Sequence, residues 1–368
     1  MKNGKKFLIS VLPLLLGFGF LSCDNGTPSS FDRSNILIGI AMPGMHADRW
    51  EKDGTALMDE ALALGYRAEL AYGGTDQATQ NDQIREFMEH GASLIIVANI
   101  DTSIKPVVKE AKDSGVIIIA YDRLIQQTAD YEYYITFNSY KIGEMQGQSI
   151  VNALKLDSAG QSEPKYIALF TGSPSDKNAE LLFSGAKYVL DPYITSDKLV
   201  VTDGQTNFSS VYIQQWEPAN VQDRIEKLFD GQYTVDAVLA PNDKNARYII
   251  DYIVDNSSMP IPIVTGQDAE FESAMYIKES KQYMTIFKDA RALAANAIKL
   301  ADQLLTGKTI NMHGAIKASG VLAKMGDTGV KVVTSFLVEP KLLVTKDNLN
   351  ELINAGWFSD AEEKELRE

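Results

Sequence analysis

Short runs of aliphatic and β-branched residues alternate along this chain with longer amphipathic stretches, at a spacing of roughly 20 to 30 residues. One run is more apolar than its neighbours. Val116-Ile117-Ile118-Ile119-Ala120 holds five apolar residues, four of them β-branched, which predicts a strand buried on both faces of a parallel sheet. It ends on Tyr121-Asp122-Arg123, an acid beside a base. In open α/β sheets the carboxyl end of a strand is where ligands bind, so this stretch points to a site for something small and polar.

Ahead of that run the pattern predicts strands over 35–41, 67–72 and 94–98 and helices over 49–64, 77–90 and 104–114. Gly65, Gly91 and Gly115 stand where helices end. Beyond Asp122 the alternation restarts. Strands are expected over 133–137, 166–171, 199–201, 235–240, 261–265 and 283–287. Helices are expected up to about residue 156 and over 176–190, 217–229, 243–254, 270–279 and 290–305. The tail from Asp347 to Glu368 reads as a polar helical cap. The fold class is α/β, with two doubly wound parallel-sheet units of similar size. No Pro- or Gly-rich linker divides them, so several strand-like crossings join the halves. No short-period repeat is present, which excludes solenoids and propellers.

Charge narrows the partners. The 368 residues carry 49 acids against 35 Lys and Arg, a formal net charge of −14, whereas nucleic-acid binding needs a basic face. The N-terminus is more telling. Lys2, Lys5 and Lys6 precede an apolar run from Phe7 to Leu21, the layout of a secretory signal over residues 1–22. Cys23, the single cysteine, follows Phe20-Leu21-Ser22 in a bacterial lipobox-like setting, although Phe20 stands where Leu is usual. Lipidation at Cys23 is therefore expected, against the alternative of a plain secretory signal with an incidental cysteine. Residues 23–34 are polar and rich in Gly, Pro and Ser, as suits a flexible tether. The expected location is extracytoplasmic, lipid-anchored to the cell membrane, and periplasmic where the cell has two membranes.

Six polar clusters fall at predicted strand ends. They are Ala47-Asp48-Arg49-Trp50, Asp122-Arg123, Gly172 to Asn178, Pro241-Asn242-Asp243, Gly266-Gln267-Asp268 and Phe287-Lys288-Asp289. Singly, Asp176, Asn242 or Asp243 reads as a helix N-cap. Together they offer carboxylate acceptors and cationic donors in near balance, which suits a neutral polyhydroxyl ligand. An aromatic face complements the C–H face of a pyranose. Trp50, flanked by Arg49, Glu51, Lys52 and Asp53, is read as binding, while local sequence leaves Trp216 open between binding and core packing. Catalytic signals are weak. His46, His90 and His313 have no metal-ligand spacing, His90 suits a helix C-terminus, and no P-loop, Gly-x-Gly-x-x-Gly or Gly-x-Ser-x-Gly motif occurs. No catalytic residue, metal or cofactor is expected.

These motifs, in this order, resemble the substrate-binding proteins of bacterial sugar ABC importers, and within them the xylose-binding and multiple-monosaccharide-binding (glucose/galactose) group. The resemblance covers about 36–358. It rests on Gly39-Ile40-Ala41-Met42-Pro43, Arg49-Trp50, Ala120-Tyr121-Asp122-Arg123-Leu124-Ile125, Gly172-Ser173-Pro174, Trp216-Glu217-Pro218-Ala219, Gly266-Gln267-Asp268-Ala269-Glu270 and Thr285-Ile286-Phe287-Lys288-Asp289. It implies a type I periplasmic binding protein, two lobes joined by three hinge crossings that close on a sugar. The lobes would be 35–122 plus 288–332, and 123–287 plus 333–368. The implied sugar contacts are Arg49, Trp50, Asp122, Arg123, Asp176, Asn178, Trp216, Asn242, Asp268 and Lys288, with Asp122 also readable as a group that orients Arg123. Two departures bear on the choice of sugar. Asn138-Ser139 stands where the group usually has Asp-Asn, and Lys177 stands where it usually has Asn.

The leading reading is a non-enzymatic, monomeric receptor that captures an aldopyranose of the xylose, glucose or galactose type. It would deliver the sugar to an ABC permease of the inner membrane, ligand binding shifting an open–closed equilibrium. The alternatives are a sugar-sensing lipoprotein signalling through a membrane receptor, and an exported sugar-modifying enzyme with Asp176 and Asp268 as acid and base.

Overall fold

The computed structural model describes residues 31–44, 48–158, 163–256 and 258–368. The expected signal segment, Cys23, most of the tether, His46 and Ala47 lie outside them. From the N-terminus run β1 (Leu37–Met42), α1 (Asp48–Ala63), β2 (Arg67–Tyr72), α2 (Gln77–Glu89), β3 (Ala92–Val97), α3 (Lys105–Asp113), β4 (Ile117–Tyr121) and β5 (Tyr133–Phe137). Then come α4 (Ser139–Ala153), β6 (Lys165–Leu169), α5 (Lys177–Thr195), β7 (Leu199–Val201), α6 (Phe208–Val211), α7 (Gln222–Leu228), β8 (Ala237–Leu239), α8 (Asp243–Asn256), β9 (Ile263–Val264), α9 (Phe271–Lys278) and β10 (Met284–Phe287). The chain finishes with α10 (Ala290–Leu305), β11 (Ile316–Lys317), β12 (Thr334–Val338), β13 (Leu342–Thr345), α11 (Asn350–Asn354) and α12 (Asp360–Arg367).

Two sheets organise these elements. The first has the order β11-β12-β5-β4-β3-β1-β2, the second β7-β6-β8-β9, and β10 pairs with β13 in a two-stranded ribbon. Every pairing in the two sheets is parallel except β11 with β12. Parallel strands need crossover helices on both faces, which is why the central strands read as unbroken apolar runs. β1 is buried at all six positions, and its two faces feed two separate cores. Ile38, Ile40 and Met42 join one cluster, Leu37 and Ala41 the other. Gly115, at φ +78° beyond the C-cap of α3, makes the left-handed turn that delivers the chain into β4.

The expected two-unit α/β class holds, but the division of strands does not. The expected lobe boundaries put residues 133–137 in the second lobe, yet β5 pairs with β4. They put residues 333–368 there too, yet β12 pairs with β5. The boundaries at 122/123 and 332/333 are thereby corrected. The chain leaves the first sheet after β5, enters α4, and α4 packs on α5 and β8. It returns between β10 and α10, and leaves again between β12 and β13. These passages meet: Asn138 Nδ2 donates to Glu339 Oε1 at 3.0 Å, and Lys341 Nζ to Asp289 Oδ2 at 3.1 Å. The helix expected over 217–229 is also corrected. Only Gln222–Leu228 is α-helical, because Pro218 begins a short 3₁₀ turn and Val221, at φ −126°, breaks the run.

Candidate functional site

Strand order places the site. In the first sheet the order reverses between β1 and β3, in the second between β6 and β8, and crevices outside such switch points are where doubly wound sheets bind ligands. The loops after these strands line a cavity of about 390 Å³, within the usual range of about 300–1,000 Å³ for small-molecule sites. All ten expected contacts lie on its wall: Arg49, Trp50, Asp122, Arg123, Asp176, Asn178, Trp216, Asn242, Asp268 and Lys288. Ser139 lines it as well. Lys177 does not, and instead pairs with Glu180 at 2.5 Å, so of the two departures only Ser139 reaches the wall.

Arg49 is the electrostatic centre. Its guanidinium meets Asp122 Oδ1 at 2.5 Å, Asp53 Oδ2 at 3.2 Å and, across the cavity, Asp268 Oδ1 at 3.9 Å. Asp268 is held at 2.6 Å by Lys288 Nζ, and both side chains are under one-tenth exposed. Burial alone would raise the Asp122 carboxyl, but Arg49 and then Lys288 outweigh it and hold it below the usual carboxylate range. Burial likewise opposes the Arg49 charge, yet Asp122, Asp53 and Asp268 keep it more firmly protonated than a free guanidinium. Asp122 does not orient Arg123, as one expectation had it. Arg123 NH1 donates to the Asn99 carbonyl at 3.2 Å, and Arg123 Nε lies 3.9 Å from Asp176 Oδ2. Burial pushes the Asp176 carboxyl up, with Arg123 only partly opposing it.

Two aromatic faces complete the wall. Trp50 is buried in the core of the first sheet, and both Arg123 and Arg49 lie over its ring at 5.0 and 4.8 Å. Core packing and cavity lining therefore coincide at this residue. Trp216 occupies a turn in which Gln215 and Trp216 both have left-handed backbones, at φ +55° and +59°. Its ring lies against Gly172, where a Cβ would fall 2.1 Å from Cη2, so only glycine allows this approach. Asp122 (φ +59°) and Asp268 (φ +103°) share the left-handed conformation. Such backbones cost about 1–3 kcal/mol each and concentrate at functional sites.

The N-cap reading and the cavity reading hold together. Asp176 accepts from the Asn178 amide at 2.9 Å and starts α5, and Asn242 Oδ1 accepts from the Asn245 amide at 3.2 Å. Asn178 is drawn inward: its Nδ2 donates to the Asp122 carbonyl at 2.6 Å, and its Oδ1 accepts from Ser139 at 2.9 Å and Tyr134 at 3.3 Å. Asp53 was missed by sequence reading. It is fully buried, accepts from the Tyr121 hydroxyl, and burial raises its carboxyl. Its only sequence signal is the i,i+4 spacing from Arg49. Among the described residues, no group of three or more His, Cys, Asp or Glu is placed to hold a metal ion, and no helix is long and apolar enough to cross a membrane.

Comparison with known proteins agrees with this geometry. Residues 38–309 match a family model described as a periplasmic binding protein domain. The chain is 38% identical over 343 residues to the multiple sugar-binding periplasmic receptor ChvE of Rhizobium radiobacter, covering 91% of this chain and 94% of that one. It is 30% identical over 330 residues to the D-xylose-binding periplasmic protein of Escherichia coli, covering 89% and 92%. A solved ABC transporter solute binding protein from Clostridium phytofermentans, with bound β-D-glucose, superposes with a TM-score of 0.81 at 33% identity, covering 89% of this chain and 99% of that one.

Proposed function

Because the chain belongs to the periplasmic binding protein family, we propose that it is a monosaccharide receptor that hands an aldopyranose to an ABC importer. The observation that carries this reading is the charge-balanced cavity. Four cations (Arg49, Arg123, Lys244 and Lys288) face five carboxylates (Asp122, Asp176, Glu217, Asp268 and Glu270) on its wall, beside two tryptophan rings, and Glu270 is neutralised by Arg247 from behind at 2.6 Å. Charged partners make strong hydrogen bonds to hydroxyl groups, and the balance of signs favours a neutral ligand over an ionic one. The names of the similar proteins, which describe sugar binding, support the ligand class.

The same wall favours capture over chemistry. Asp268 is committed to Lys288 and Asp176 to the start of α5, which leaves neither as a free acid or base for an exported enzyme. Arg49 and Asp122 come from the first sheet's side, Asp176, Asn242 and Asp268 from the second's, so a sugar bridging them would draw the two together about the three passages. Cys23 would tether the receptor to a membrane after lipidation.

Calorimetry of the purified chain with D-glucose, D-xylose, D-galactose and L-arabinose tests the reading. At least one sugar is expected to bind and to be recovered unchanged. No binding across the set, or conversion of a sugar to product, overturns it. Labelling with a fatty acid in the producing cell is expected to mark the wild-type chain and not Cys23→Ser; equal labelling overturns the anchor.

A further inference from the structure

The third tryptophan lies outside the cavity, yet it touches the immediate supports of three charged groups on the wall. Trp357 follows α11 in the tail and is 8% exposed. Its indole Nε1 donates to the Ala269 carbonyl at 2.8 Å, and Ala269 follows Asp268. Its ring meets Phe287 edge-on, centroids 4.8 Å apart, and Phe287 precedes Lys288. Lys52 Nζ lies 4.3 Å from the centre of the same ring and donates to the Trp357 carbonyl at 3.3 Å. Lys52 stands three residues beyond Arg49 in α1. Asp268, Lys288 and Arg49 are the three groups joined by the contacts of 2.6 and 3.9 Å across the cavity.

We propose that Trp357 is a positioning residue for this charged triad: through Ala269, Phe287 and Lys52 it fixes where Asp268, Lys288 and Arg49 stand. The corner at Asp268–Ala269 explains the need. Both residues carry a Cβ yet adopt left-handed backbones, at φ +103° and +52°, conformations that persist only where the surroundings over-determine them. The Ala269 amide donates to Thr285 Oγ1 at 3.2 Å, the Glu270 amide to the buried Asp243 carboxylate at 3.0 Å, and the Ala269 carbonyl is held by Trp357. Removing the indole N–H leaves the peptide plane between Ala269 and Glu270, one residue beyond Asp268, held by the Glu270 amide alone. Lys52 adds a second effect. It belongs to the first sheet's side, whereas the corner belongs to the second's, so its seat on the Trp357 ring ties the corner to the helix that carries Arg49.

This inference rests on the proposed sugar-binding role, and its test is arranged so that the two can fail separately. Trp357→Phe keeps a ring on the Phe287 and Lys52 side while removing the N–H donor together with part of the indole's bulk. At a temperature well below unfolding, this variant is expected to bind D-glucose about three- to tenfold more weakly, the scale of one hydrogen bond. Backbone amide exchange over 268–270 is expected to be faster than wild type with no sugar present. Lys52→Met, which leaves the corner's own hydrogen bonds in place, is expected to weaken D-glucose binding with exchange over 268–270 unchanged. Unaltered exchange in Trp357→Phe, or unaltered affinity in both variants, overturns the positioning role. A wild-type chain that binds no D-glucose counts against the receptor reading for that sugar, and the exchange comparison then decides the role of Trp357 alone.

Discussion

Asp122 shows how a residue's neighbours set its role. Its backbone is left-handed, its carbonyl accepts from Tyr134, Thr136 and Asn178, and its carboxylate faces Arg49. Burial raises that carboxyl, Arg49 and Lys288 lower it further, and the balance lies below the ordinary value. A carboxyl depressed by folding adds stability above its unfolded-chain pKa, and that stability is lost as pH falls through the folded value. Arg49→Met strips the nearest cation from Asp122 and from Asp53, leaving two buried carboxyls with chiefly Lys288 and the Tyr121 hydroxyl to offset their charge. The variant is expected to be destabilised by about 3–5 kcal/mol at neutral pH, as when one half of a buried pair is removed. Because protonation relieves the stranded carboxylates, the gap from wild type is expected to shrink as pH falls. Urea unfolding of both proteins from neutral to acidic pH checks this, and a gap independent of pH refutes it. In the sequence Asp122-Arg123 reads as an adjacent pair, but both lie beyond the end of β4, where Asp122 has a left-handed backbone. Only the fold shows that Asp122 answers to Arg49 and Arg123 to Asn99 and Asp176.

Between elements, the close approach of Trp216 to Gly172 makes a sharper demand than either residue does alone. Gly172→Ala would place a methyl group 2.1 Å from the indole, forcing the ring out of the cavity wall. Affinity for a bound sugar is expected to fall at least about tenfold, on the scale of losing a stacked aromatic contact, while the melting temperature changes little because Trp216 is not fully buried. Equal affinity for wild type and Gly172→Ala would refute a stacking role for Trp216. The helix pair α4–α5 obeys the same logic in the core. A Cβ at Gly143 would fall 1.9 Å from the Leu182 carbonyl, and one at Gly185 2.0 Å from the Tyr140 carbonyl. Either glycine changed to Ala is expected to cost about 1–3 kcal/mol or more in denaturant unfolding; a cost near zero would mean the helices separate freely. Much of this element layer was legible, since 3.6-residue periodicity and β-branched runs mark α1 to α5 and β1 to β6 directly. What escaped was set at a distance. β12 and β13 are short and flanked by Pro340, β5 joins the first sheet only through pairing with β4 and β12, and Trp357 sits in a tail whose local sequence is polar. Nine of the ten expected wall residues fall in polar clusters after predicted strands, but the resemblance to sugar-binding proteins is what named all ten as contacts, Trp216 included, whereas Asp53 and Tyr121 support the wall from behind and leave no such mark.

At the scale of the molecule, hydrogen bonds within the protein also join the two sides. Gln126, from the first sheet's side, donates through Nε2 to the Ser175 carbonyl at 2.7 Å on the loop after β6, and Asn178 reaches back to the Asp122 carbonyl. These bonds form only when the sides are together, so they favour the closed arrangement whether or not a ligand is present. A receptor binds its sugar with an apparent affinity scaled by the fraction of molecules already competent. Gln126 is not on the cavity wall, so Gln126→Ala alters that fraction without touching the ligand. The expected outcome is a larger radius of gyration by solution scattering in the absence of sugar. Saturating sugar is expected to restore the wild-type radius, and the loss of affinity to be one common factor for every sugar bound. A loss that differs from sugar to sugar would place Gln126 in contact with the ligand. An unchanged radius together with unchanged affinity would show that Gln126 has no part in closure, which would leave the sugar as the main agent that draws the two sheets together.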